Sequence, residues 1–186
     1  MKKYLFWTFI ICWASGVSLT IAHIHGFHLV NFQNEKVNES LIIPKIEESW
    51  GMIHLLAEEC GCSQTVAEYL IERGKLKGTS EKVILVGSST QYSSRLTDLG
   101  FEIVEANYLD GYIDGVPMLI IHNKKGEVKY SGGYANGMIT PVTKIVDLKL
   151  LAQVKNNIKS KDLIVMGCAV SKEIQKELDP MGLKYN

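Results

Sequence analysis

The sequence has no excess of charge of either sign and contains little proline. Its 186 residues include 20 Lys and Arg, 20 Asp and Glu, and 4 Pro. This neutral balance gives no indication of a nucleic-acid partner or of a strongly charged substrate. No repeat and no low-complexity tract is present, and the length fits one domain of ordinary size with an appendage. Nucleic acid is therefore not expected as a partner.

Long apolar runs are also lacking, apart from one at the amino terminus. It extends from Tyr4 to about Ala22, directly after Lys2 and Lys3. A membrane-spanning helix needs about 20 apolar residues, whereas the core of a signal peptide is usually ~7–15. The positive pair predicts an amino terminus in the cytoplasm. We therefore predict a single-pass anchor over residues 1–22 in the inner membrane, with the rest facing the periplasm or the cell exterior. A cleaved signal peptide is the alternative.

Residues 23–46 show no hydrophobic period and contain Pro44. They predict a linker that holds a domain of residues 47–186 off the membrane. A group of histidines at its start could bind a transition metal, although imidazoles at the lipid–water interface are the simpler interpretation: His23, His25 and His28.

Cysteine is scarce. Of the 4 cysteines, Cys12 lies within the apolar run and is interpreted as an inert apolar residue, while Cys60, Cys62 and Cys168 lie beyond it. Disulfides form and persist outside the cytoplasm, which favours redox chemistry for these thiols. Their odd number means that one thiol stays free or that the three exchange partners.

The chain around the first pair predicts a strand followed by a helix. An apolar run of strand length covers Trp50–Ala57. Residues 63–73 then show helical periodicity, with Ser63 suited to cap the start. Cys60 and Cys62 would thus lie just ahead of a helix N-terminus, where free N–H groups and the helix dipole favour a thiolate.

Two acidic residues before this helix oppose that effect. Glu58 and Glu59 raise the pKa of a nearby thiol, but surface carboxylates are screened, whereas capping N–H groups act at contact range. We predict that the pKa of Cys60 is lowered on balance.

Further along the chain, short apolar strands alternate with helical segments. Strands are predicted at 82–87, 101–105, 116–122 and 127–131, and helices at 88–100, 140–159 and 171–178. A last strand-like run over 162–167 places Cys168 between a strand and a helix, as for Cys60 and Cys62. This order predicts an α/β protein with parallel pairing.

A cysteine pair between the first strand and the first helix, followed far downstream by Gly115-Val116-Pro117 at the start of a hairpin strand, resembles the thioredoxin superfamily. Residues 48–160 carry the resemblance, and it is strongest to membrane-anchored, thioredoxin-like bacterial proteins that face the periplasm. It implies a central mixed sheet flanked by helices. It also implies a cis bond before Pro117, beside the active cysteines, and a role for Val116 and Pro117 in binding a substrate chain.

The cysteine spacing departs from that family's motif. The family has Cys-x-x-Cys, whereas here Cys60-Gly61-Cys62 is followed by Ser63 at the position of the second cysteine. In a helical turn, residues i and i+2 lie ~5.5 Å apart at Cα, but their side chains diverge by roughly 200°. A Cys60–Cys62 disulfide would therefore be strained, and strain makes a disulfide a better oxidant.

The leading hypothesis is a thiol–disulfide oxidoreductase without a cofactor. Cys60 would attack a disulfide of a protein substrate, Cys62 would resolve the mixed disulfide, and Cys168 would be either a third redox thiol or a small apolar residue. A second hypothesis is copper or other metal binding, with His54 or His122 as a further ligand. A third is a binding domain that kept the fold and lost the chemistry.

Overall fold

The computed structural model describes residues 2–28, 30–32, 43, 46–87, 90–109, 113–180, 182, 184 and 185. In this part of the chain the helices are α1 (Lys2–His28), α2 (Gly61–Arg73), α3 (Thr90–Asp98), α4 (Asp147–Lys155) and α5 (Lys172–Leu178). The strands are β1 (Val30–Phe32), β2 (Trp50–Ala57), β3 (Ser80–Val86), β4 (Glu102–Ala106), β5 (Gly115–Val116), β6 (Met118–Asn123), β7 (Val128–Gly132) and β8 (Val165–Ala169).

A five-stranded sheet with the order β4-β3-β2-β6-β7 forms the centre of the domain. β2 and β3 pair in parallel, as do β3 and β4, while β6 and β7 add antiparallel pairs. β2 is central and buried on both faces, which explains its continuous apolar sequence. The Val116–Pro117 peptide bond between β5 and β6 is cis. The predicted α/β class and parallel pairing are confirmed, and the fold is thioredoxin-like.

The two faces of this sheet are covered differently. On one face, helices α2, α3 and α4 contribute apolar side chains, such as Leu70, Leu96 and Leu150, to a core cluster that includes Met52 of β2. On the other face, Ile53 and its neighbours pack against β5, β8 and the residues after β8. Burial of apolar surface on both faces stabilises the sheet and fixes the ends of its strands.

A small second sheet with the order β1-β8-β5 lies on that second face. β8 pairs antiparallel with β5, so that Cys168 lies opposite Val116 and Ala169 opposite Gly115. A Cβ added to Gly167 would overlap the carbonyl oxygen of Val116 and lie 2.9 Å from Pro117 Cδ. Glycine at 167 therefore permits β8 to approach the cis-proline segment.

We expect Gly167→Ala to destabilise the protein by roughly 1–3 kcal/mol, because the added methyl group has no space and must displace backbone. Urea unfolding of the full chain in detergent micelles measures the change. Gly61→Ala is the matched control, since a Cβ there has nothing within 4 Å, and its stability should stay within about 0.5 kcal/mol of the parent. Equal stability of both variants would contradict close packing at Gly167.

Helix α1 is the apolar amino-terminal segment. Within the described residues, Lys3–Ile21 is the one stretch of helix long and apolar enough to cross a membrane, with a mean hydropathy of 1.6 and no burial against the domain. The helix continues to His28, so it extends past the predicted end of the anchor at residue 22. Residues 33–42 of the predicted linker, and the side chains of His23, His25 and His28, lie outside the part of the chain that the structure describes.

Some predicted boundaries were wrong for identifiable reasons. Helix α2 begins before Ser63, because the Cys60 carbonyl accepts the Gln64 N–H at 2.9 Å and Cys60 takes the N-cap position. Cys62 therefore lies inside the first turn rather than ahead of it. The last strand begins at Val165 and not at residue 162, so Cys168 lies within β8.

The helix predicted over residues 140–159 is shorter in the structure, and the prediction of its start at Thr140 was wrong. The Thr140 N–H donates to Thr143 Oγ1 and the Thr143 N–H donates to the Thr140 carbonyl, both at 2.9 Å, which closes a turn instead. Only residues of α4, from Asp147, are helical in this region. Helix α3 ends at Asp98, earlier than the predicted residue 100, and Leu99 after it is 40% exposed.

Candidate functional site

Three cysteine thiols meet beyond the carboxyl end of β2. Cys60 is the N-cap residue of α2, with an extended backbone (φ −96°, ψ 113°), and is 1% exposed. Cys62 is half-buried in the first turn of α2, and Cys168 in β8 is 6% exposed. The side chains of Cys168 and Cys62 both lie close enough to that of Cys60 to lower its pKa. The structure thus brings together the three cysteines selected from sequence, with Cys60 contacted by both others.

These contacts give the three thiols different affinities for a proton. Hydrogen bonds from Cys168 and Cys62 hold the pKa of Cys60 far below its usual range despite its burial, with a smaller contribution from Ser63. The pKa values of Cys62 and Cys168 are raised by their hydrogen bonds to Cys60 and by burial. These directions favour Cys60, rather than Cys62 or Cys168, as the thiolate of the reduced protein. A lowered pKa agrees with the sequence-based expectation, but the main cause is the neighbouring thiols.

A cation that the sequence analysis missed lies beside Cys168. Lys184 Nζ is 3.6 Å from Cys168 Sγ. The backbone N–H groups of Lys184 and Tyr185 both donate to Asp179 Oδ2, and the Tyr185 hydroxyl accepts the Ala169 N–H at 3.1 Å. These bonds fasten the carboxyl-terminal segment to β8. A single lysine far from the cysteines in sequence has no local pattern that could have revealed its position.

Val116 lies next to the thiols, and Pro117 follows it in the chain after the cis peptide bond. Cys60 Sγ is 4.0 Å from the Val116 carbonyl oxygen. Both residues are buried, and the backbone of Val116 is paired with Cys168 of β8. The chain's own strand therefore occupies the edge along which a substrate chain was expected to bind.

Two clefts border the thiols. The first, of about 790 Å³, lies between α2 and residues 138–145 and is lined by all three cysteines, with apolar walls that include Met138, Ile139 and Pro141. The second, of about 520 Å³, lies beside β8 and is lined by Cys60 and Cys168, together with Tyr108, Gln175, Lys184 and Tyr185. Cys62 lines the first cleft, whereas Cys60 and Cys168 line both. Clefts thus flank the thiol cluster on two sides, while Cys60 and Cys168 themselves are almost fully buried.

Comparison with models of protein families identifies the family of this chain. A family model described as a domain of unknown function, DUF6436, matches residues 29–169, which include all three cysteines. The chain belongs to the DUF6436 family. Among curated proteins, nothing matches this DUF6436 chain.

Solved structures support the fold of the DUF6436 domain. A hypothetical protein from Sinorhizobium meliloti has a TM-score of 0.52 at 10% identity, covering 67% of this chain and 80% of its own. An uncharacterized conserved protein from Geobacillus kaustophilus has a TM-score of 0.52 and 16% sequence identity; the match covers 78% of this chain and 87% of that protein's chain. A thioredoxin-like protein solved in its oxidised form is also similar, with a TM-score of 0.45 and 10% sequence identity; the match covers 70% of this chain and 97% of that protein's chain.

The histidines considered as metal ligands have other contacts in the DUF6436 structure. His54 Nδ1 lies 2.8 Å from the Tyr134 hydroxyl, and His122 Nδ1 lies 3.0 Å from the Asn123 carbonyl oxygen. Across the described residues, no group of three or more His, Cys, Asp or Glu side chains is arranged to hold a metal ion.

A buried polar network lies next to the first cleft. Arg73 at the end of α2 pairs with Glu81 of β3 at 2.6 Å and with Asp147 of α4 at 3.3 Å. His54 Nε2 is 3.2 Å from Glu81 Oε1, and the hydroxyl of Tyr69, which lines the cleft, donates to Asp147 Oδ1 at 2.7 Å. The network ties α2, β3 and α4 together and so positions the helix that carries Cys62.

Titration of the reduced DUF6436 protein tests the assignment of the thiolate. We expect ultraviolet absorbance to show one cysteine ionised well below the free-cysteine pKa of about 8.5, and this signal to vanish in Cys60→Ser. Cys168→Ala should raise the pKa of Cys60 more than Cys62→Ala does, because Cys168 supplies the larger stabilisation. A Cys60 pKa at or above the free-cysteine value would contradict this account.

Proposed function

We propose that this protein is an extracytoplasmic thiol–disulfide oxidoreductase that acts on protein disulfides. The observation that carries the proposal is that Cys60, Cys62 and Cys168 meet at one cleft by the N-terminus of α2, where the two other thiols lower the pKa of Cys60. A thiolate is the nucleophile in disulfide exchange, and neighbouring thiols are suited to resolve the product. Val116 and Pro117 are buried and Val116 is paired with β8, so the substrate chain is proposed to bind in the first cleft instead.

The exchange begins when a substrate disulfide enters the first cleft. The Cys60 thiolate attacks one substrate sulfur, the substrate S–S bond breaks, and the other sulfur leaves as a thiolate that takes up a proton. Cys62 or Cys168 then loses its proton and attacks the Cys60 sulfur of the mixed disulfide. The second substrate sulfur leaves as a thiol. The substrate gains two electrons and two protons, and the protein is left with a Cys60–Cys62 or a Cys60–Cys168 disulfide.

The first cleft suits an apolar stretch of a protein substrate. Its wall includes Met138, which is 42% exposed, and the neighbouring Val142 is 94% exposed. Exposed apolar side chains beside reactive groups are typical of binding surfaces. The cysteine of a protein substrate could reach Cys60 here while β8 stays in place.

We further propose that α1 anchors the protein in the inner membrane, with the thiols on the periplasmic or outer side. The apolar helix is long enough to span a bilayer, and Lys2 and Lys3 precede it. On that side of the membrane disulfides persist, so a thiol–disulfide enzyme finds its substrates there.

Thiol counting across a series of redox buffers tests the proposal. The full chain in detergent micelles is equilibrated, alkylated and weighed by mass spectrometry. We expect a reversible loss of two thiols between reducing and oxidising buffers, and no such transition in Cys60→Ser. If the three cysteines stay reduced in every buffer, or remain permanently oxidised, the redox function is wrong and a binding domain without chemistry is the better description.

A further inference from the structure

We propose that the thiol cluster reacts with disulfides of other proteins anchored in the same membrane, within about 30 Å of the bilayer surface. The inference rests on the proposed function and on the proposed anchor, and it names the class of partner. Its basis is the position of β8. This strand carries Cys168 and is paired directly with the segment that follows α1.

The folded domain begins almost where the anchor ends. Helix α1 continues to His28, and Val30, two positions later, is the first residue of β1. Residues 23–46 are predicted as a linker that holds the domain off the membrane, but their first part is helix and strand in the structure. The part of α1 beyond Ile21 adds only about 10 Å of height at the rise of an α-helix.

The pairing of β1 with β8 limits the distance from the anchor to the thiols. Val30 is the Cα partner of Gly167, and Gly167 lines the first cleft beside Cys168. Residues of α1 also lie within 8 Å of residues of β8, measured between Cα atoms. From the spacing of paired strands and of consecutive Cα atoms, the Cα atom of Cys168 lies at most about 17 Å from that of His28.

β1 is packed into the domain as well as paired at its edge. Phe32 is 6% exposed, and a Cβ added to Gly115 would overlap its ring. Gly115 precedes Val116, whose carbonyl oxygen is 4.0 Å from Cys60 Sγ. Because β1 contacts both strands beside the thiols, the cluster stays near the end of the anchor for as long as the domain is folded.

A site held at this height reaches the part of a neighbouring membrane protein that lies next to the bilayer. A partner confined to the same surface also meets the site at a higher effective concentration than a soluble protein does. The reaction is the proposed exchange. The disulfide of the partner gains two electrons and two protons, and this protein is left with one disulfide.

The test uses the reduced full chain in lipid nanodiscs and one fluorescent peptide disulfide in two forms. In the first form the peptide is attached to a lipid through a spacer of about eight residues, which reaches at most about 28 Å. In the second form the same peptide is free in solution. We expect the parent protein to reduce both forms.

A variant with a longer anchor helix locates the site. Inserting about 20 residues of the helical repeat Glu-Ala-Ala-Ala-Lys after His28 raises the domain by about 30 Å, beyond the reach of the tethered peptide. The rate with the tethered peptide should fall by roughly tenfold or more, while the rate with the soluble peptide stays the same. The same residues inserted ahead of Lys2, on the other side of the anchor, are the matched control and should change neither rate.

The outcomes separate this inference from the proposals beneath it. If the parent reduces only the soluble peptide, or if the raised variant keeps its rate with the tethered one, the site is not held near the bilayer and the inference is wrong, while the exchange reaction stands. If the parent reduces neither form, the proposed function fails. If the chain does not stay in the nanodiscs, the anchor and this inference fail together.

Discussion

Replacing Cys60 by serine is expected to abolish thiol–disulfide exchange, with a loss of roughly a thousandfold or more. Cys60 is the thiol contacted by both others, and its pKa is the one that is lowered. A serine hydroxyl does not ionise near neutral pH and does not form disulfides, so both the attack and the storage of electrons are lost. Reduction of a fluorescent peptide disulfide by the full chain in micelles measures the rate.

The other cysteines are expected to have graded effects. Cys62→Ser and Cys168→Ser should each slow exchange by roughly ten- to a hundredfold, because the remaining thiol can still resolve the mixed disulfide. Cys12→Ser is the matched control, since that exposed residue of α1 is remote in sequence from the site, and it should match the parent protein. If Cys62→Ser were inactive while Cys60→Ser kept most of its rate, the attacking thiol would be Cys62.

The fold could be predicted where local sequence and tertiary environment agree. The limits of β2, Trp50–Ala57, were predicted correctly because a strand buried on both faces is a continuous apolar run. The start of the next predicted helix, at Thr140, was not predicted correctly. The hydroxyl groups of Thr140 and Thr143 hydrogen-bond to each other, and the Thr143 hydroxyl accepts the Thr140 N–H, which closes a turn there. β1 was missed because Val30–Phe32 is short and is held by pairing with β8.

The three cysteines of the site could be identified from the sequence, but their spatial arrangement could not. The sequence identified Cys60, Cys62 and Cys168 from their positions between strands and helices. Their contact depends on the pairing of Val116 with Cys168, a long-range register that no local pattern encodes. The same is true of Lys184, which reaches Cys168 because Asp179 binds the backbone of the carboxyl-terminal segment.

The largest expected loss of stability comes from Arg73→Met, at roughly 3–5 kcal/mol. Arg73 pairs with Glu81 and Asp147, and the side chains of both carboxylates are fully buried. Removing the guanidinium leaves two buried negative charges without their main cation, whereas methionine keeps much of the apolar stem. Urea unfolding of the full chain in micelles at neutral pH measures the change. Arg95→Met is the matched control, because the Arg95–Glu68 pair is exposed and should contribute at most about 1 kcal/mol.

The pH dependence of unfolding separates this ionic effect from a packing defect. Burial opposes the ionisation of Glu81, but hydrogen bonds from His54 and Arg73 outweigh it and lower its pKa to about 2. A carboxyl group whose pKa is lowered by folding stabilises the protein fully above its unfolded pKa of about 4.3, and this contribution is lost as the pH falls towards 2. The difference in stability between the parent and Arg73→Met should therefore shrink over that interval. A difference that stays constant from neutral pH to pH 3 would mean that Arg73 contributes through contact of its guanidinium group with the rings of Tyr69 and Phe101, whose centres lie 5.8 and 5.9 Å from the guanidinium carbon.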